Sequence, residues 1–383
     1  MMRDDLRSGL ACSSRPRARL RVGLLTLATV LLSAGCADTS VPATPPLMPS
    51  LSASPAATAQ PSSTLIASAP VTPAASVSPL ATHPPPPTFA ATGLRPGVEP
   101  QTYIADACES IRRRWDPAGS PPGTVVLPIM FHSIRDPSNM PSDTTTVSTE
   151  TFQATVALAR SLGFETITSI ELLAFLRDNA RIPERSMLLI VDDRYPGVVA
   201  TYLLPVAEAY DWTVTLGWII GDTSPNLWAT MEGLAATGSL DVQSHGLKHH
   251  YIVEGMSDEE IREEIAGPIP ILEEHFGYRP MAFVWPGGNF TQRSVEIARE
   301  EGYGLGFTIQ SRGPLLFDWV PLGEEERAVG DPLMVLPRAW STAATVNLLE
   351  ADEIGDQAAR FAAENQQAEA AWYAGSCGGA LSR

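Results

Sequence analysis

Two adjacent carboxylates, Asp192 and Asp193, follow the apolar run Leu188 to Val191, and a histidine-rich stretch, Ser244-His245-Gly246-Leu247-Lys248-His249-His250, lies further along the chain. At the C-terminal end of a parallel strand, successive side chains point in different directions, so one carboxylate can bind a metal while the other faces a water. Alone, such a pair is more often the start of a turn or a helix cap. Histidines four apart on a helical turn share a face, so His245 and His249 can present imidazoles to one ion. His250 takes the place of His249 if the segment is not helical. The chain has six His, and three of them fall between residues 245 and 250, a concentration that favours a ligand set over a surface cluster. Two His and one Asp with positions left open suit a catalytic divalent ion, zinc by default and other first-row metals as alternatives.

Such residues need a scaffold that delivers them to one place, and the surrounding text reads as one. Val125 to Phe131 is a buried strand, in which Pro128 requires an edge or a bulge. Phe152, Val156 and Ala159 recur at helical spacing, whereas Leu188 to Val191, Thr213 to Ile220 and Ala282 to Trp285 read as further strands. Ser257-Asp258-Glu259-Glu260 is a capping box that opens a helix with Ile261 and Ile265 on its inner face. Strands alternating with helices predict an α/β fold with parallel pairing and helices outside.

The order of these motifs resembles the polysaccharide deacetylase, or NodB-homology, family of carbohydrate esterases. The family runs from an apolar strand ending in an aromatic-His pair to a Thr-Phe-Asp-Asp-Gly strand end. His-Ser/Thr-x-x-His and an aromatic-Pro-x-Gly turn follow. This chain presents Met130-Phe131-His132-Ser133-Ile134, then Ile190-Val191-Asp192-Asp193-Arg194, then Ser244-His245 to His249, then Trp285-Pro286-Gly287-Gly288. The resemblance spans roughly residues 124 to 340. It implies a distorted (β/α) barrel of parallel strands with outer helices, and removal of N-acetyl groups from a sugar. Carried over by position, Asp192 would be the general base, and Asp193, His245 and His249 would hold the ion. In that arrangement the ion polarises the amide carbonyl and acidifies water, and Asp192 removes the proton. The turn Pro286, Gly287, Gly288 would bring backbone close to the sugar, or is simply a barrel turn.

Departures from the pattern carry their own expectations. Many relatives take the general acid from a late Leu-x-His motif, and here no His follows His275, which leaves His132 by elimination; the alternative is a core histidine bonded to backbone. Arg194 replaces a glycine, at a position where a positive φ would strain it, or else it reaches substrate or pairs with a carboxylate. The arginine that some relatives place before the Pro turn is missing, the stretch reading Phe283-Val284-Trp285. Arg338 either acts near the site, as late Pro-Arg segments do in similar sequences, or forms a surface salt bridge. Trp115, Trp212, Trp228, Trp285 and Trp340 include possible sugar-stacking residues, although large aromatics are more often core.

Outside this region the chain changes character. Arg15 to Arg21 form a basic segment, followed by the apolar run Val22 to Leu32 and by Ser33-Ala34-Gly35-Cys36. That order is the pattern of a secretory signal, too short for a comfortable transmembrane helix, and it resembles a bacterial lipoprotein leader with lipidated Cys36 as the first mature residue. From Thr39 to Leu94 there is no Asp, Glu, Lys or Arg; this Pro, Ala, Ser and Thr text cannot bury enough apolar surface to fold. The expected organisation is therefore a leader at 1–36, a linker at 37–98, the deacetylase-like domain at 99–349 and a helical tail at 350–383. Cys108 and Cys377 flank the domain and, in an oxidising exterior, could pair to tie its ends together.

A net charge of -17 disfavours a nucleic-acid partner, because phosphate binding needs clustered Lys and Arg. The expected partners are a polysaccharide substrate, such as peptidoglycan or an exopolysaccharide, and the membrane through a lipid anchor. The reading that follows is a metal-dependent N-deacetylase. A glycan-binding module without turnover and an O-acetyl esterase are its alternatives.

Overall fold

The computed structural model describes residues 86–381. The expected leader, Cys36 and the linker up to residue 85 lie outside the described residues. Among the described residues no helix is long and apolar enough to cross a membrane.

The core is an eight-stranded sheet. Its strands are β1 (Val125–Phe131), β2 (Glu165–Thr166), β3 (Arg185–Val191), β4 (Val214–Trp218), β5 (Leu240–Ser244), β6 (Ala282–Val284), β7 (Leu305–Phe307) and β8 (Ala339–Trp340). The order is β7-β6-β5-β4-β3-β1-β8, with β2 on β3, and every pairing is parallel. Parallel strands covered on both faces read as continuous apolar runs, and β1 and β6 are buried throughout. The sheet curls until its two edges nearly meet. Leu336 bridges Phe307 of β7, and a few residues later Ala339 and Trp340 pair with Ile129 and Met130 of β1. One short segment, 336–340, thus joins both edges, giving the α/β barrel, irregular at this seam, that the sequence predicts.

The helices occupy the outside. Helix α1 is Ala107–Arg114, α2 is Thr149–Ser161 and α3 is Ser169–Asp178. Further along, α4 is Asp258–Ala266 and α5 is Ala344–Ser376. The Ser257 capping box forms as expected, its hydroxyl accepting from the Glu260 N–H while the Glu260 carboxylate accepts from the Ser257 N–H. Ile261 and Ile265 are buried beneath it. Helix α5 begins before residue 350 and its first half buries Leu348, Ala351, Ile354 and Ala358 in the same core as β1. The tail is therefore a layer of the domain. At its far end Cys377 forms a disulfide with Cys108 in α1, the Cα atoms 5.7 Å apart.

Pro128 departs from expectation. It lies on neither an edge strand nor a bulge: β1 runs in unbroken register against β3 from Val125 opposite Arg185 to Phe131 opposite Val191. Backbone groups two residues apart face the same side, and Val126 exchanges both its N–H and its C=O with Leu315 on the side away from β3. Pro128 faces the gap between Leu315 and β8, where a missing donor costs nothing.

Candidate active site

His132, Asp192, Asp193 and His245 leave the C-terminal ends of strands, and Arg338 enters from just before one. His132 follows β1, Asp192 and Asp193 follow β3, His245 follows β5, and Arg338 immediately precedes β8. This is the end of a parallel sheet where ligand groups converge.

Asp193, His245 and His249 each offer a ligand atom, and these atoms all lie within 4.8 Å of one another. Nε2 of His245 is 3.6 Å and Nε2 of His249 is 3.7 Å from Oδ1 of Asp193. His245 is oriented from behind: its Nδ1 lies 2.8 Å from the Val284 carbonyl, which can only accept, so the proton sits on Nδ1 and the Nε2 lone pair faces Asp193. Two nitrogens and one oxygen, open on one side, are a donor set that fits a divalent ion.

The expected helical turn through the histidines is absent. Gly246 has φ 85 and His249 has φ 61, and residues 245–250 form a loop. His249 nonetheless reaches Asp193, while His250 is exposed and is not among the three residues whose ligand atoms converge, so the alternative ligand is not the one the loop selects. Asp193 too is left-handed, with φ 66. The positive φ anticipated at Arg194 therefore falls one residue earlier. Arg194 itself donates from Nε to the Ile219 carbonyl at 2.8 Å and, among the described residues, forms no ion pair.

Asp192 is a separate station. It is 1% exposed and accepts a 2.6 Å hydrogen bond from Arg338 on Oδ1, while Oδ2 lies 3.7 Å from Nε2 of His132. Burial pushes the Asp192 carboxyl up, but the Arg338 guanidinium, with His245 and His132, outweighs it and holds the group below the ordinary carboxylate range. Burial lowers His132, and the opposing pull of Asp192 does not restore it. Nδ1 of His132 is buried without a partner among the described residues, so it is not the backbone-bonded core histidine of the alternative reading. Trp340 lies nearly parallel to its ring, at a centroid distance of 6.1 Å.

The surface salt bridge offered for Arg338 is excluded by its complete burial. Its Nε donates to the Thr308 carbonyl and its Nη1 to Asp192, so it supports a carboxylate from below rather than meeting substrate. The glycines of the Pro286 to Gly288 turn also have a different reason from the one expected. A Cβ on Gly287 would lie 2.9 Å from the Tyr251 ring, and one on Gly288 2.5 Å from Ile309. The close approach they permit is to the protein itself. Tyr251, 56% exposed and edge-on to His249, was missed in the sequence, as was Gly217, where a side chain would press on Val284 and Asp192. Of the five tryptophans, Trp212 and Trp285 are buried, and Trp340 is the one set against a site residue.

Residues 179–306 match the family model described as polysaccharide deacetylase. Over this stretch the chain is similar to that family. The matched stretch contains Asp192, Asp193, His245, His249 and the Pro286 turn, whereas His132 and Arg338 lie on either side of it. A protein of Bacillus subtilis (strain 168) described as "Putative polysaccharide deacetylase YxkH" is 23% identical over 188 residues, 48% of this chain; the chain spans 64% of that relative's length. Among solved structures, the Streptococcus pyogenes deacetylase PplD in complex with acetate is 19% identical, with 59% of this chain and 97% of that chain covered and a TM-score of 0.49. IcaB from Ammonifex degensii is also 19% identical, with 60% and 97% covered and a TM-score of 0.47.

Proposed function

We propose that the folded domain is a polysaccharide deacetylase, a metal-dependent hydrolase that removes N-acetyl groups from a cell-wall or extracellular polysaccharide. The observation that carries this reading is the pair of stations: a metal-competent cluster of Asp193, His245 and His249, and beside it a buried Asp192 held ionised by Arg338. A divalent ion held by the cluster, zinc being the default for this donor set, supplies polarisation of the amide carbonyl and acidification of water. Asp192 accepts the proton of the attacking water, its depressed pKa keeping it in the basic form at neutral pH. Arg338 fixes the carboxylate's orientation and leaves Oδ2 turned toward His132. His132, whose Nε2 lies 3.7 Å from Oδ2 of Asp192, would pass the proton that Asp192 takes from water to the departing amine, which returns both groups to their starting forms. Tyr251, held over Gly287, offers an apolar ring face at the rim for a sugar.

The test is a single preparation assayed twice, first for bound metal and then for acetate released from N-acetylglucosamine oligomers and from acetylated xylan. Asp192→Asn is expected to abolish release and keep the metal, and His245→Ala to lose both. Glycan binding without acetate from either substrate would defeat the hydrolase reading, and release from xylan alone would make the protein an O-acetyl esterase.

Export and anchoring through Cys36 are part of the same proposal, supported by the basic, apolar and small-residue order of the first 36 residues. Cys36→Ser is expected to eliminate incorporation of a labelled fatty acid and release the protein from membranes; unchanged labelling would refute the anchor.

A further inference from the structure

The loop that carries His249 needs something to hold its backbone in a conformation that residues with a Cβ seldom adopt. The group that does so lies in α4. Glu264 is 2% exposed, and among the described residues it forms no salt bridge. A buried carboxylate without a cation must be satisfied by hydrogen bonds. Its partners are backbone N–H groups of this loop. The Lys248 N–H donates to both carboxylate oxygens, at 3.1 and 3.0 Å, and the His250 N–H donates to Oε1 at 3.0 Å. The Glu264 carbonyl also accepts from the Leu247 N–H at 3.1 Å. The two clamped amides, 248 and 250, stand on either side of His249, the residue at φ 61. Gly246 completes the fit: a Cβ there would lie 2.2 Å from Oε1 of Glu264, so the carboxylate occupies the hollow that the glycine leaves.

We propose that Glu264 is the positioning residue that makes His249 a metal ligand, by fixing the 247–248 and 249–250 peptide units that bracket it so that the imidazole is aimed at Asp193. The inference rests on the metal-site reading above and extends it to a side chain that touches neither ion nor substrate. Charge-assisted bonds to backbone N–H groups are stronger than neutral ones, which suits a carboxylate to holding an unfavourable turn.

The experiment is a zinc-affinity cycle, read by competition with a chromophoric chelator on the full chain, for wild type, Glu264→Gln, His249→Ala and the double variant. Glu264→Gln is expected to weaken zinc binding roughly tenfold or more, the size found when support behind a ligand is removed. In the His249→Ala background the same substitution is expected to cost nearly nothing, because its effect passes through His249. Glu264→Asp, which keeps the charge but shortens its reach by one methylene, is read in the same cycle and is expected to behave alike, so the answer stands even if Glu264→Gln does not fold. Equal losses in both backgrounds, or no loss in either, would overturn the inference. Wild type that binds no zinc would instead bring down the metal reading and this inference with it, whereas zinc bound without coupling removes the inference alone.

Discussion

At the scale of the residue, the arrangement turns on a buried charge and what lies against it. Breaking a buried ion pair from one side leaves the other charge uncompensated, at about 3–5 kcal/mol. Arg338→Met is therefore expected to destabilise the fold by about that much near neutral pH, measured by chemical denaturation. With the guanidinium gone, burial dominates and Asp192 titrates at higher pH, so the acid limb of the pH profile of acetate release should move upward. The sign for the intact protein is the reverse: a carboxyl held below its ordinary value contributes stability above that value and loses it as the pH falls through the depressed one. An acid limb that stays in place in Arg338→Met would mean that Arg338 does not govern Asp192. The sequence displayed the carboxylates and the histidine pair because their spacing is local. It could not display Arg338 as the partner of Asp192, since that pairing joins residues 146 apart across a seam in the sheet.

Among the elements, strands were legible where burial writes an uninterrupted apolar run, and helices where a capping box announces them. Two readings failed for physical reasons that local text does not carry. Pro128 looked like an edge residue because the neighbour opposite its nitrogen comes from far along the chain and stops short. The histidine loop looked helical because the four-residue interval suits a helix, while the carboxylate that accepts from its N–H groups, Glu264, comes from α4, elsewhere in the sequence. The seam between the sheet edges gives an element-level prediction. The Gly306 position has no room for a side chain, a Cβ there falling 2.1 Å from the Met334 carbonyl and 2.7 Å from Trp285 Nε1. Gly306→Ala is expected to cost about 1–3 kcal/mol by overpacking, visible as a lower melting temperature, and to reduce acetate release by shifting the segment that carries Arg338. A variant as stable and active as wild type would show that the seam tolerates movement.

For the molecule as a whole, the two ends of the folded region are joined covalently. Cys108 and Cys377 close a loop of 269 residues, and Glu369 in α5 accepts hydrogen bonds from Arg114 and Trp115 near the same end. Replacing both cysteines by serine is expected to lower unfolding stability by about 2–4 kcal/mol, chiefly by freeing the unfolded chain, and to leave acetate release unchanged, since the bridge is remote from the metal cluster. Equal melting curves with and without reductant would show that the bond contributes nothing. The closing segment 336–340 has one more consequence, for biosynthesis. Asp192 emerges from the ribosome well before Arg338, so during that interval the carboxylate has no guanidinium to neutralise it and the barrel has an open side. A nascent or truncated chain ending short of that arginine can possess every ion-binding side chain and still lack a settled proton acceptor, which ties the onset of chemistry to completion of the wall.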